Sequence, residues 1–164
     1  MNVTIINTGG TFNKRYNLLT GQLEVPKDHK ALENIIANCH NVTFEIHDIV
    51  SKDSLDMNDD DREAICQAIE QSPSQNIIVI HGTDSVDVTA ALIKTKQIEK
   101  KIVFTGAMIP MSIDEIEATM NFSQALGFLS ACEQNGIYIA MHGVVVDSAK
   151  LVKNRELGQF LNSE

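Results

Sequence analysis

The sequence predicts an α/β fold: a single doubly wound, mainly parallel sheet with helices on both faces. Three observations lead there. Short apolar runs alternate with stretches whose apolar residues recur at helical spacing, the pattern of repeated strand–helix units. The strands at 76–80 and 102–104 are near-continuously apolar, as strands covered on both faces tend to be. The 164 residues fit one domain, with no repeat or linker visible.

Each element has its own signal. Residues 2–7 read as a strand that starts almost at the first residue. Residues 11–27 are polar and make a loop long enough for a lid or binding segment. Leu32, Ile35, Ile36 and Cys39 predict a helix over 29–39, and the alternation in Val42-Thr43-Phe44-Glu45-Ile46 predicts a strand. Asn58 precedes Asp59, Asp60 and Asp61, so an N-cap is followed by carboxylates at the positive end of a helix. Ala64, Ile65, Ala68 and Ile69 give that helix its apolar face. The acidic run lacks the glycine and terminal glutamate of a calcium loop and serves helix initiation instead. After the strand at 76–80, Val88, Ala91, Leu92 and Thr95 mark a helix. Residues 102–105 are a strand closed by Gly106. Ser112 and Glu115 have capping-box spacing ahead of a helix over 113–133. Residues 137–141 are a strand that 143–146 extends or follows, and the last eighteen residues are too polar to place.

Composition narrows the function. A charge of −9 argues against nucleic acid, whose binding needs a basic surface to displace counterions. No apolar stretch reaches the roughly 20 residues of a membrane span, and the N-terminus lacks the pattern of a secretory signal. The expected setting is therefore cytoplasmic, with no membrane contact. Cys39, Cys66 and Cys132 are widely spaced and form no metal-ligand pattern, so they read as reduced core thiols.

Two turns carry hydroxyls at strand ends. Asn7-Thr8-Gly9-Gly10-Thr11 follows the first strand, and His81-Gly82-Thr83-Asp84-Ser85 follows the strand at 76–80. In an open parallel sheet that edge is where ligands bind. The first turn is neither a P-loop nor a dinucleotide turn, because the Gly-Lys-Ser/Thr and GxGxxG patterns are missing. Thr11 is either a nucleophile, if a base takes its proton, or a plain turn residue. Thr83 and Asp84 read equally as chemistry or as helix capping, and His81 as a base or a structural histidine. Lys101, at the start of a strand, is costly inside a sheet unless paired. Residue reasoning does not separate it from Lys100.

Taken together, these segments resemble the bacterial-type L-asparaginase family, in order and over most of the chain. Thr8-Gly9-Gly10-Thr11 resembles its first threonine motif, and Tyr16 lies where the family carries a lid tyrosine. Asp53-Ser54-Leu55-Asp56-Met57-Asn58 resembles the segment that binds the substrate α-carboxylate. His81-Gly82-Thr83-Asp84-Ser85 resembles the second threonine motif, and Lys101 to Met108 the lysine strand with its Gly-Ala-Met turn. The resemblance implies an amidohydrolase that turns L-asparagine into L-aspartate and ammonia without a cofactor. Thr11 would attack the amide carbonyl, helped by Tyr16, while Thr83, Asp84 and Lys101 form a proton relay. Backbone N–H groups near Thr11 and Ala107 would hold the oxyanion, Ser54 and neighbouring backbone N–H groups would bind the α-carboxylate, and Asp84 would take the α-ammonium, with Gly10, Gly82 and Thr83 also contacting the substrate. It further implies a catalytic N-terminal domain spanning 1–164, without the C-terminal domain of typical members, and self-association into a dimer or tetramer. The missing ammonium partner is left open between a neighbouring subunit and acids of this chain, with Glu115, Glu117, Glu156 and Glu164 as candidates by charge alone. Other readings are a non-catalytic binder of aspartate-like ligands, or an amidase for glutamine or another amide. Two departures stand out: Ile109 replaces the arginine of many relatives, and the family's Asp-Gly-Pro is not seen around 114–121.

Overall fold

Strand β5 (Asn76–Ile80) sends Ile77 and Val79 into one core and Ile78 and Ile80 into another, all fully buried. This alternation sets the layers of the computed structural model, which describes residues 1–162 and so leaves Glu164 outside it. β5 lies inside a six-stranded sheet ordered β4 (Thr43–Lys52), β1 (Asn2–Gly9), β5, β6 (Lys101–Thr105), β7 (Gly136–Met141), β8 (Val144–Asp147). The first five are mutually parallel, and β8 closes the edge antiparallel to β7.

Helices cover both faces. α1 (Lys30–Ile36) and α4 (Glu115–Ala131) pack Leu32, Ile35, Phe122 and Leu129 on the face of Ile78 and Ile80. α2 (Asp59–Gln71) and α3 (Val86–Thr95) pack Ile65, Ile69, Ala90 and Ile93 on the other. The doubly wound sheet is as the sequence predicts. From β1 the chain passes by α1 to β4 on one side, and then by α2 to β5 on the other. The segments leaving β1 and β5 thus diverge to opposite faces, opening a crevice at their carboxyl ends.

Several boundaries differ from expectation. The polar segment 11–27 contains a small hairpin, β2 (Arg15–Asn17) with β3 (Gln22–Glu24). α1 is shorter than 29–39, because turn hydrogen bonds from Asn38 and Cys39 to Ile35 and Ile36 close its end. Asn58 caps α2 with a reciprocal Asp61 bond, as the acidic start suggests. α3 turns Val86, Thr89, Ala90 and Ile93 inward and leaves Val88 exposed, so its face is rotated from the predicted one. Asp114, not Ser112, caps α4; the Ser112 hydroxyl donates to Lys14 O instead. Only Cys66 is a core thiol, Cys39 and Cys132 being half-buried. The polar tail forms a second hairpin, β9 (Leu151–Asn154) with β10 (Gln159–Asn162). Among the described residues no helix is long and apolar enough to cross a membrane.

Candidate active site

Three turns converge on the crevice, and glycines let their backbones touch. Gly9 and Gly10 take φ of 96° and 72°, in the left-handed region that side chains disfavour. A methyl group on Gly10 would stand 2.6 Å from the Cα of Gly82, and one on Gly82 would stand 2.6 Å from Ser54 Oγ. The Gly-Gly-Thr turn, the His-Gly-Thr-Asp turn and the Ser54 segment are therefore in direct contact. A methyl on Gly106 would collide with the carbonyl oxygen of His81 and lie 3.6 Å from Thr83 Cγ2, so the turn after β6 packs against the same group.

Hydrogen bonds fix this contact. Thr8 Oγ1 donates to Ile80 O at 2.8 Å, tying the ends of β1 and β5. Asn13 Nδ2 donates to Asn7 Oδ1 and to Gly9 O, bracing the turn that presents Thr11. Thr11 opens a single 3-10 turn and is half-buried. Ser54 is buried; its Oγ accepts the Asp84 N–H at 3.2 Å, and its carbonyl accepts the Ser85 hydroxyl at 2.7 Å.

His81 is structural. Its Nδ1 faces Gly82 O at 2.8 Å and its Nε2 faces the Thr89 hydroxyl at 2.9 Å. A carbonyl only accepts, so Nδ1 carries the proton and Nε2 accepts from Thr89. Burial disfavours the imidazolium and brings the pKa down from 6.5 to about 4. A neutral ring with both nitrogens engaged is not a free base.

Lys101 does not reach the site. Lys101 pairs in register with Asn76 at the beginning of β5, whereas Thr83 follows its end. A parallel strand rises about 3.3 Å per residue, so roughly five residues of sheet separate them, beyond the reach of a lysine. Its Nζ donates instead to Leu129 O and Cys132 O at the end of α4. Lys100 also turns away, donating to the carbonyls of Ile69, Glu70 and Ser72.

The lysine that meets the motif is Lys153. From β9 its Nζ donates to Thr83 Oγ1 at 2.9 Å and to Asp84 Oδ1 at 2.8 Å. The side chains are largely shielded, Lys153 being 13% and Asp84 25% exposed. Arg155 adds a second cation, with Nε 3.4 Å from Asp84 Oδ1 and a bond to Asp84 O. Nearby, burial raises the Asp53 carboxyl, but bonds from Lys14 and the Leu55 N–H, with the charges of Lys14 and Lys153, bring it below the usual range. The missed lysine carries a faint sequence signal. Leu151 and Lys153 share one face of a short alternating strand, with Leu151 buried and Val152 exposed. A lysine on an inward face calls for a buried partner.

Tyr16 stands apart from this cluster. It is 61% exposed on β2, and its hydroxyl leans over Gly21 of its own hairpin. Ala107 is buried in the turn after β6, whose next two N–H groups, from Met108 and Ile109, are bound by Glu117. Glu117 thus works inside the protein, and Glu115 lies in the first turn of α4.

Comparison with known proteins agrees with this architecture. Residues 2–158 match the family described as "Asparaginase, N-terminal". The thermostable L-asparaginase from Thermococcus kodakarensis superposes with a TM-score of 0.87 at 23% identity, over 99% of this chain and 51% of that one. A probable cytoplasmic L-asparaginase from Campylobacter jejuni gives 0.80 at 18% identity, over 98% of this chain and 52% of that one. Two curated relatives are glutamyl-tRNA(Gln) amidotransferase subunits D, from Methanococcus vannielii (27% identical over 90% of this chain) and Methanopyrus kandleri (23% over 92%). The chain spans about half the length of the solved proteins and 35% of each curated one.

Proposed function

The chain belongs to the asparaginase family through its N-terminal domain, and on that premise we propose that it hydrolyses the side-chain amide of L-asparagine to L-aspartate and ammonia. The observation that carries the reading is the shielded triad Thr83–Lys153–Asp84, set in contact with the turn that presents Thr11.

Thr11 Oγ1 attacks the amide carbonyl, and backbone N–H groups of the Gly10–Thr11 turn and of Ala107 hold the oxyanion. One such donor is typically worth about 3 kcal/mol in the transition state. The C–N bond breaks, the departing nitrogen takes the proton given up by Thr11, and ammonia leaves behind an acyl-threonine. Thr83, held by Lys153, orients the water that attacks the acyl carbonyl; the bond to Thr11 Oγ1 breaks, the proton given up by the water returns to Thr11, and the acid product leaves. Lys153 takes the relay role expected of Lys101. Tyr16, exposed on the β2–β3 hairpin, acts on Thr11 by closure of that hairpin over the crevice, and we assign the hairpin as the lid. Ser54 and the Gly82 backbone bind the substrate α-carboxylate, and Asp84 Oδ2, opposite the oxygen that Lys153 holds, takes the α-ammonium. No cofactor enters this scheme. Self-association as a dimer or tetramer and a cytoplasmic setting complete the proposal.

A second reading follows from the curated relatives, which are glutamyl-tRNA(Gln) amidotransferase subunits D. The same site would then serve a different amide, glutamine among them, beside a protein partner. A panel of L-asparagine, L-glutamine and simple amides, compared by kcat/KM for ammonia release, separates the two. Hydroxylamine added during turnover should divert the acyl-enzyme to a hydroxamate. Turnover without diversion at any hydroxylamine concentration would contradict the covalent intermediate.

A further inference from the structure

The turn that follows β6 and the hairpin that carries Lys153 are joined by two side chains outside the proposed chemistry. Glu117, in the first turn of α4, accepts the consecutive N–H groups of Met108 and Ile109, each at 2.9 Å, one on each carboxylate oxygen. Such charge-assisted bonds are roughly twice as strong as neutral ones. His142 Nε2 lies 3.0 Å from Glu117 Oε1, the oxygen that also accepts the Met108 N–H. His142 Nδ1 accepts the Phe160 N–H at 3.2 Å, and the Phe160 ring meets the imidazole edge-on.

These partners fix the ring. The Phe160 N–H only donates, so Nδ1 is bare and the proton of the neutral imidazole sits on Nε2, aimed at Glu117. Asn121 holds the same corner by donating to Gly106 O and accepting the His142 N–H, both at 3.0 Å. The pair is shielded, with Glu117 15% and His142 24% exposed. Phe160 stands directly across the β9–β10 ladder from Lys153. A continuous path therefore runs from the Ala107 turn through Glu117, His142 and Phe160 to Lys153 and on to Thr83.

We propose that Glu117 and His142 are positioning residues that hold the Ala107 turn and Lys153 in one geometry. The inference rests on the proposed roles of Ala107 and Lys153. Two halves of the site come from elements far apart in sequence, and this clamp is where they are tied.

The test combines turnover and amide exchange in the full chain. E117A and H142A should each lower kcat about ten- to a hundredfold, the scale of a small misplacement of reacting groups. H142N should recover most of the H142A loss, because the Asn Oδ1 can stand where Nδ1 accepts and asparagine tolerates the φ of 51° at this position. Wild-type kcat in both alanine variants, or no recovery in H142N, would overturn the proposal. Hydrogen exchange is read independently: the Met108 and Ile109 amides should exchange faster in E117A, and the Phe160 amide faster in H142A. Unchanged exchange at these amides would also overturn it. If the wild type turns over no amide, the proposed function fails, and the exchange result alone decides whether the clamp exists.

Discussion

Lys153 Nζ stands 2.8 Å from Asp84 Oδ1, a pair 69 positions apart in the chain. The same nitrogen donates to Thr83 Oγ1, so one ammonium binds both the hydroxyl and the carboxylate of the His-Gly-Thr-Asp turn. Lys153→Met keeps the side chain's bulk and removes its charge and donors. It should lower kcat on the order of a hundredfold or more, the usual contribution of positioned acid–base groups. Lys101→Met, at the far end of the sheet, should leave kcat near wild type. Steady-state ammonia release on both variants checks the pair; a large loss confined to Lys101→Met would restore the assignment read from the sequence.

Gly10 and Gly82 meet backbone to backbone, which leaves no room for a side chain. Gly82→Ala should destabilise the protein by about 1–3 kcal/mol, typical of overpacking, because the added methyl meets Ser54 in a buried turn. Gly10→Ala adds the cost of a left-handed φ and should do more harm. Thermal unfolding measures both. An unchanged Tm in Gly10→Ala would contradict the close approach of the two turns.

Tyr16 offers the opposite case. It is largely exposed, so Tyr16→Phe should leave the unfolding midpoint unchanged while lowering kcat, on the order of tenfold or more if its hydroxyl serves proton transfer. Equal kcat in the two proteins would remove Tyr16 from the mechanism.

His81 makes stability depend on pH. Its folded pKa, about 4, lies below the unfolded value near 6.5. Below pH 6.5 the unfolded chain takes up a proton that the folded chain refuses. The contribution is thus fully present above pH 6.5 and is lost as pH falls toward 4. The span corresponds to roughly 3 kcal/mol. Denaturant unfolding at pH 7 and pH 4.5 should show the drop, and a His81→Asn variant should show less of it.

The parallel core was legible because β5 and β6 are apolar on both faces, and Asn58 with Asp61 announced α2 through local chemistry alone. The threonine turns were legible for the same reason: glycine and hydroxyl residues directly after apolar runs. Lys153 was not, because its contact with Thr83 and Asp84 depends on a hairpin folding back across the sheet, which no local periodicity in a polar tail reveals. The distance between Lys101 and Thr83 follows from sheet topology. In a parallel sheet the start of one strand and the end of its neighbour lie at opposite edges, so Lys101 and Thr83 are held apart by topology. The Ser112 cap failed in a different way, since its hydroxyl found the tertiary partner Lys14 O and Asp114 capped α4.

The most direct test is ammonia release from L-asparagine, from micromolar to tens of millimolar, by the wild type and by Thr11→Ala. The account predicts saturable turnover in the wild type and a loss on the order of a thousandfold or more in the variant, as when a catalytic nucleophile is removed. Comparable turnover in Thr11→Ala, or none in the wild type at any concentration, would contradict it.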